Sequence, residues 1–436
     1  LALARFKRAE RKNLIFILNS LTIRSKTMIA NATIPQTLIP SKNIDSALQQ
    51  LNYDIQATFN RVQFNISNRV VPIIEAIATG TPDNVVQQSE AAKFVANLPS
   101  LKKNQSRIEQ LYQNTCIETR HMAVNLLSEE QIAFCQERNT MQARMELYRQ
   151  HGIPLAEKVA GDAIAKIDSP TIKDEIGLIV FVSSTGFVAP GADAELIKRL
   201  GLRRDTARVT VNFMGCAAAM NGLRVAADYV KAYPHRKALV VCLELSSVNA
   251  AFKDNLNDIV IHSIFSDGCA AVVIGACRKD AAKGSGKIAI TEHFSHLIDN
   301  SEDGIVLGIE DNGITCQLSR HLPDYIEASV GAIVKSFLAS QKLSQEDIDL
   351  WAVHPGGTKI IQKVQSSLGL TDSQVADSWK ILSQYGNMLS ASVLFVLEQM
   401  FNKLDKNACA KSKPVTGMAF SFAPGVGLEG ILFQLL

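Results

Sequence analysis

No pair of cysteines in this chain stands at CxxC spacing, and its 436 residues contain no run of eighteen apolar positions. The first absence argues against a structural zinc site. Cys242, Cys269 and Cys277 lie in or beside apolar runs, which argues against a disulfide framework as well, so a reducing cytosol is expected. The second absence leaves no candidate membrane span. Charge of one sign is not in excess either: 45 Lys plus Arg stand against 42 Asp plus Glu, a formal net charge of +3. That balance offers nucleic acid or an anionic membrane no broad target. Neither of two glycine-bearing loops, Pro190-Gly191-Ala192-Asp193 and Ala423-Pro424-Gly425-Val426-Gly427, matches a phosphate-binding fingerprint. They read as tight turns, and no nucleotide cofactor is expected. No small-residue cleavage site clearly follows the apolar run Leu14 to Leu18, which argues against a signal peptide. The chain begins at Leu1, not Met, which raises the expectation that it is cut from something longer.

What is present is an ordinary globular composition, 47% apolar and 20% charged, long enough for one large core or two domains. Residues 1–70 are weakly patterned and rich in Asn, Gln, Ser and Thr, and read as an extension or linker. Beyond Val70 short apolar runs alternate with helical spacing. Buried strands are expected over Ile179–Val182, Lys237–Leu245, Ala270–Ile274, Leu350–Val353, Met418–Phe422 and Ile431–Leu435, and an alternating one over Arg208–Phe213. Helices are expected from Gly215-Cys216 to about Tyr233, over Ile326–Leu338, and from Gly386-Asn387 through Met400. Helices between short apolar runs argue an α/β protein with crossover connections.

The spacing contains a repeat. Ser183 to Cys216 is 33 residues and His354 to Asn387 is also 33, with the two pairs offset by 171. Each pair joins a strand end to a Gly-X helix start. Two copies of one α/β unit about a pseudo-twofold axis would bring the two helix starts together at the centre.

Three side chains gain interest from that position. Cys216, within Asn212-Phe213-Met214-Gly215-Cys216-Ala217, is a thiol at a strand-to-helix turn, where unpaired N–H groups and the helix dipole favour thiolate. A buried free cysteine is otherwise a small hydrophobe, the reading kept for Cys242, Cys269 and Cys277. His354 leaves a buried strand into Pro355-Gly356-Gly357 and offers an imidazole beside the sulfur, although a histidine there is as often structural. Asn387 alone reads as an N-cap. Met together at one point, Cys, His and Asn suit stabilisation of an oxyanion or enolate.

Six segments then resemble the type III polyketide synthases, the chalcone and stilbene synthase superfamily. They are SSTGFVAPGADAELIKRLGLR (183–203), MGCAAAMNGLRVAADYV (214–230), VVCLEL (240–245), FSDGCAAVVIG (265–275), VHPGG (353–357) and SQYGNMLSASVLFVLEQM (383–400). The resemblance runs from about Val70 to Leu436. It implies a five-layered α/β/α/β/α thiolase fold of two pseudo-symmetric halves, 71–285 bearing the nucleophile and 286–436 bearing His and Asn. It also implies a homodimer. It assigns the catalytic residues to Cys216, His354 and Asn387, a gatekeeper phenylalanine to Phe265, and the place of a second gatekeeper to Cys316. The family's active-site loop corresponds to Ser421-Phe422-Ala423-Pro424-Gly425, with Ser and Ala for two glycines. Ala189 replaces a methionine that reaches toward the neighbouring subunit in plant members. Ser246 and Asn249 replace two tunnel threonines, and Leu389 a serine. In the stretch expected to meet coenzyme A, only Arg120 plainly keeps its charge, which makes loading from an acyl carrier protein an alternative.

The implied reaction loads an acyl thioester on Cys216, decarboxylates malonyl thioester beside apolar Phe265, and adds two carbons per cycle before cyclisation. Malonyl-CoA and acyl thioesters are substrates, and neither metal nor redox cofactor is needed. Cys316 and Ala189, each smaller than the family residue, suggest a medium or long aliphatic starter and an alkylpyrone or alkylated phenolic product. Leu389 and Asn249 pull the other way. The rivals are a single-round initiation-type ketoacyl synthase, a hydroxymethylglutaryl synthase, for which no segment clearly supplies the general base, and a silent scaffold or dimerisation domain.

Overall fold

The computed structural model describes residues 70–101, 104–128, 140–252, 255–404 and 414–436, so all of the expected extension except Val70 lies outside the described residues. The strands of the first half are β1 (Val70–Gly80), β2 (Val85–Gln87), β3 (Thr119–His121), β4 (Ile176–Ser183), β5 (Ala207–Asn212), β6 (Lys237–Leu245) and β7 (Asp267–Arg278). Those of the second are β8 (Ile288–Leu297), β9 (Ile305–Glu310), β10 (Gly313–Leu318), β11 (Leu350–Val353), β12 (Val415–Ala423) and β13 (Gly427–Leu435). Helices of eight or more residues are α1 (Gln88–Ala96), α2 (Gln105–Gln113), α3 (Met141–Ala165), α4 (Ala192–Arg199) and α5 (Ala218–Ala232). They continue with α6 (Leu256–Ile264), α7 (Leu322–Ser340), α8 (Thr358–Leu368), α9 (Asp372–Tyr385) and α10 (Ser392–Lys403).

The two halves repeat one pairing scheme. In the first, β6 runs parallel to β4 and antiparallel to β7, which pairs antiparallel with β1. In the second, β12 runs parallel to β11 and antiparallel to β13, which pairs antiparallel with β8. Only two residue pairs, Ile73 with Ala289 and Ile74 with Ile288, join β1 to β8, giving the order β5-β4-β6-β7-β1-β8-β13-β12-β11. β5 has no counterpart: the corresponding stretch of the second half is α9. β5 is an edge strand, paired only with β4 and exposed over residues 207–210.

Strand alternation explains the layers. Successive side chains point to opposite faces, and the central strands are apolar on both. Leu178, Val180, Val182, Val240 and Cys242 pack with Leu223 of α5 and Leu394 of α10 in one cluster, which Ala419, Ile431 and Phe433 enter from the second half. Ile179, Phe181, Leu239 and Val241 point the other way, against Ala156 and Val159 of α3 and Leu196 of α4. Trp351, Val353, Met418 and Phe420 likewise turn outward onto Val330 of α7 and Ile361 of α8. Outer helices, half-sheet, central helices, half-sheet and outer helices make five layers, the thiolase fold of two pseudo-symmetric halves. The central helices α5 and α10 begin where the halves meet.

Candidate active site

Each central helix is preceded by a 3-10 turn rather than opening directly: Gly215–Ala217 before α5 and Leu389–Ala391 before α10. Gly215 (φ +55°) and Gly386 (φ +71°) occupy conformations that favour glycine, and each aims the residue after it toward the join. The expected meeting of the helix starts is found there: Cys216 Sγ lies 3.9 Å from both Oδ1 and Nδ2 of Asn387.

Asn387 is restrained on every side. Its N–H donates to the Ile264 carbonyl at 2.8 Å, and its carbonyl accepts from Ser266 N–H at 2.9 Å. Oδ1 accepts from Leu389 N–H at 2.9 Å, a cap-like bond, and Nδ2 donates to the Gly356 carbonyl at 3.1 Å. These partners fix which end of the amide is nitrogen. One Nδ2 hydrogen is left facing sulfur.

His354 stands at the end of β11, its N–H donating to the Phe420 carbonyl at 3.1 Å. The ring is 1% exposed, and among the described residues neither ring nitrogen has a hydrogen-bond partner. A Cβ at Gly356 would come within 3.0 Å of its Cδ2, so glycine lets the chain pass the ring edge. Burial pushes the His354 pKa down to about 3, which keeps the imidazole neutral. Burial also pushes the Cys216 thiol well above the ordinary range, with Cys316 adding in the same sense. Burial therefore opposes the thiolate that the turn position favours.

Cys216, His354, Asn387 and Phe422 line a cavity of about 540 Å³. A second cavity of about 110 Å³ holds Ser246 and Asn249. Phe265, Leu307, Cys316 and Leu389 face both, so the two expected gatekeeper positions form the partition between them. Half of the partition, Leu307 and Cys316, comes from the β9–β10 hairpin, where Ile305 pairs with Leu318, Leu307 with Cys316 and Ile309 with Ile314. Asn249 has its polar group satisfied: Nδ2 donates to the Thr185 carbonyl at 2.8 Å and Oδ1 accepts from Ile314 N–H at 3.3 Å. It ties the hairpin to the strand end after β4. In the loop Ser421–Gly425, a Cβ at Gly215 would meet Pro424 at 3.1 Å, and Gly425 N–H donates to the Ile305 carbonyl at 2.9 Å. Ala423 is buried at its centre, and Ser421 Oγ is buried without a partner among the described residues.

Ala189 is exposed in the turn between β4 and α4 and lines neither cavity of this chain, so its expected place facing a neighbouring subunit's tunnel concerns a second chain. One expectation is overturned. Arg120 is 2% exposed and is a structural clamp rather than a coenzyme A contact. Its Nε donates to Gln88 Oε1 at 2.8 Å, its Nη1 to the carbonyls of His262 and Phe265, and its guanidinium lies over Tyr112. The sequence supplied its charge but not its burial.

Glu244, inside the segment VVCLEL, is a further functional residue, and a carboxylate in a buried strand is the sequence signal for it. It accepts from Ser184 N–H at 3.0 Å, Thr185 Oγ1 at 2.8 Å and Ser390 Oγ at 2.6 Å. Ser184 Oγ accepts in turn from Gly215 N–H at 3.0 Å. One carboxyl thus connects to both turns, and burial raises its pKa to about 7.

Five layers around a join that collects a thiol, an imidazole and a carboxamide define the class: a thiolase-fold condensing enzyme. The chain belongs to the chalcone and stilbene synthase family, whose N-terminal domain matches residues 60–278 and whose C-terminal domain matches residues 290–436. It is accordingly an acyltransferase of the type III polyketide synthase kind. It is 50% identical to the alpha-pyrone synthesis polyketide synthase-like Pks18 of Mycobacterium tuberculosis, over 84% of this chain and 92% of that protein. It is 30% identical to the 1,3,6,8-tetrahydroxynaphthalene synthase of Streptomyces peucetius subsp. caesius, over 83% and 92%. Among solved structures, PKS-I of the brown alga Ectocarpus siliculosus superposes with a TM-score of 0.78 at 43% identity, covering 84% of this chain and 99% of that one.

Proposed function

We propose that the protein condenses malonyl-CoA iteratively onto a medium or long aliphatic acyl thioester held on Cys216, then cyclises the product to an alkylpyrone or alkylated phenolic. The observation that carries this reading is the meeting of Cys216, unpartnered His354 and pre-set Asn387 in one apolar cavity beside Phe265. The Cys216 proton passes to His354 as sulfur attacks the starter thioester, and the departing coenzyme A thiol takes the proton back. Malonyl thioester then enters. Its carboxylate C–C bond breaks, carbon dioxide leaves, and the electron pair becomes an enolate whose oxygen accepts hydrogen bonds from His354 and Asn387 Nδ2. The enolate carbon attacks the acyl-Cys216 carbonyl and sulfur leaves as a thiolate that takes up a proton from solvent; the chain, two carbons longer, is now a coenzyme A thioester and reloads Cys216 for the next round. Phe265 offers the carboxylate no compensating charge, which favours its loss as neutral carbon dioxide.

The aliphatic starter is supported by Cys316, a small side chain in the partition between the two cavities, and a pyrone product by the name of the mycobacterial relative, which speaks of alpha-pyrone synthesis. Each methylene buried there is worth up to about 0.8 kcal/mol. Iteration rather than a single round needs room for a growing chain, which the second cavity supplies. We place the protein in the cytosol as a homodimer meeting along the exposed edge of β5, and an acyl carrier protein remains a second source of starter. The test is product mass spectrometry with malonyl-CoA and starters from acetyl to palmitoyl plus coumaroyl. Efficiency that rises with chain length, and an optimum that Cys316→Phe moves to shorter chains, is the expected result. An optimum at acetyl or coumaroyl overturns the aliphatic reading, and a product extended only once favours the ketoacyl synthase.

A further inference from the structure

A thioester substrate of this kind carries a pantetheine arm that ends in phosphate, so the cavity needs cationic partners at its mouth. Arg120, the cation expected from the sequence, is buried and engaged with Gln88 and two backbone carbonyls. The exposed side chains on the cavity lining are Asn114, Leu256, Arg320 and Lys359. Arg320 lies in the loop from β10 to α7, and Lys359 in the first turn of α8. Two separate elements therefore bring one cation each to the same rim.

Neither cation forms an ion pair among the described residues. Arg320 Nε donates to His321 Nε2 at 3.1 Å, and Lys359 has no side-chain partner there. Lys363, one turn further along α8, is by contrast paired with Glu327. Nearby acids are engaged elsewhere: Asp324 faces His321 at 3.6 Å, and Asp303 accepts from Ser319 and Tyr325. The first turn of α8 holds no acidic residue, and a Cβ at Gly357 just before it would meet nothing within 4 Å, which leaves open space beside Lys359.

We propose that Arg320 and Lys359 form a phosphate grip at the cavity mouth, seating the phosphate of a pantetheine thioester so that its acyl end reaches Cys216. The proposal rests on the thioester reading above. It moves the phosphate contact from the segment around Arg120 to the two loops that open α7 and α8. The shared chemistry is a phosphate on the pantetheine arm, either within coenzyme A or as the phosphodiester of a carrier protein.

The test compares kcat/KM for malonyl-CoA with that for malonyl-pantetheine, which lacks phosphate, in wild type, Lys359→Ala, Arg320→Ala and the double variant. Folding is checked by thermal melting. The ratio of the two efficiencies falls about fivefold for each single variant and about twenty-fivefold for the double, through KM, since exposed charge-assisted contacts are individually modest. Raising salt lowers the wild-type ratio and has little effect on that of the double variant. A parallel series with malonyl-loaded carrier protein identifies the source. A matching loss means the grip holds the phosphodiester of the arm, and a loss confined to malonyl-CoA means it holds the coenzyme's own phosphates. Ratios within twofold of wild type in the double variant overturn the grip while leaving the condensing function standing. A wild type that decarboxylates neither malonyl thioester takes both readings down.

Discussion

The turn before α5 and the turn before α10 occupy equivalent places, yet they hold their central side chains in opposite ways. Cys216 makes only long contacts of 3.9 Å to an amide, whereas Asn387 is bonded through its N–H, its carbonyl and both ends of its side chain. A nucleophile must exchange its proton and partner in every cycle, so tight bonding would oppose it. A donor that meets developing charge works best when it has nothing left to reorganise. One scaffold repeated twice thus supplies a loose end and a fixed one, 171 residues apart.

That contrast breaks most completely at the thiol. Cys216→Ala should abolish acyl loading and condensation with little change in melting temperature, seen by intact-protein mass spectrometry as loss of the single adduct. An adduct surviving on the variant would falsify the assignment. At the fixed end, Asn387→Ala should slow malonyl decarboxylation about a hundredfold, roughly 3 kcal/mol in the transition state, and slow loading much less. Equal losses in the two half-reactions would mean that the turns do not divide the work as described.

Glu244 touches both turns and sharpens the comparison through pH. Burial raises its pKa from 4.5 to about 7, so between those values the folded protein keeps a proton that the unfolded chain has released. The stability linked to this group is therefore present below about pH 4.5, declines as pH rises to about 7, and is flat beyond. Glu244→Gln removes that dependence. Denaturant unfolding should show the variant gaining on wild type by about 3 kcal/mol from pH 4.5 to 8; a constant difference would mean the carboxyl titrates normally. The smallest effect separates the glycines. Alanine at Gly386 meets the Ile264 carbonyl at 3.0 Å and the Arg120 stem at 3.1 Å, with φ +71° and ψ −163°, a region nearly closed to other residues. It should cost about 3 kcal/mol. Alanine at Gly215, with φ +55°, meets only the movable Pro424 ring first and should cost about 1–2 kcal/mol. Reversed costs would show that the nucleophile turn is the more constrained.

The strands read best from the sequence were those buried on both faces, because β4, β6 and the ends of β12 and β13 are mostly apolar runs bounded by small or polar residues. The spacing of 33 residues also located the meeting of Cys216 with Asn387. The β9–β10 hairpin escaped notice: Ile305–Glu310 carries apolar residues toward both faces and a glycine between them, so it shows no clean alternation. Side-chain burial was the other blind spot. Arg120 and a free surface arginine look alike in a sequence, and only tertiary partners, Gln88, Tyr112 and the carbonyls of His262 and Phe265, distinguish them.

β5 has one further consequence. Its outer edge is exposed, whereas β11 at the opposite end of the sheet is four residues long, with Trp351 and Val353 buried toward α7 and α8 and Ala352 toward α10. A ribbon with one sticky border and one sealed border cannot polymerise by adding strands. Joined along β5 as proposed above, two copies would exhaust each other's open border, and growth would stop at a closed pair rather than run on into a fibre.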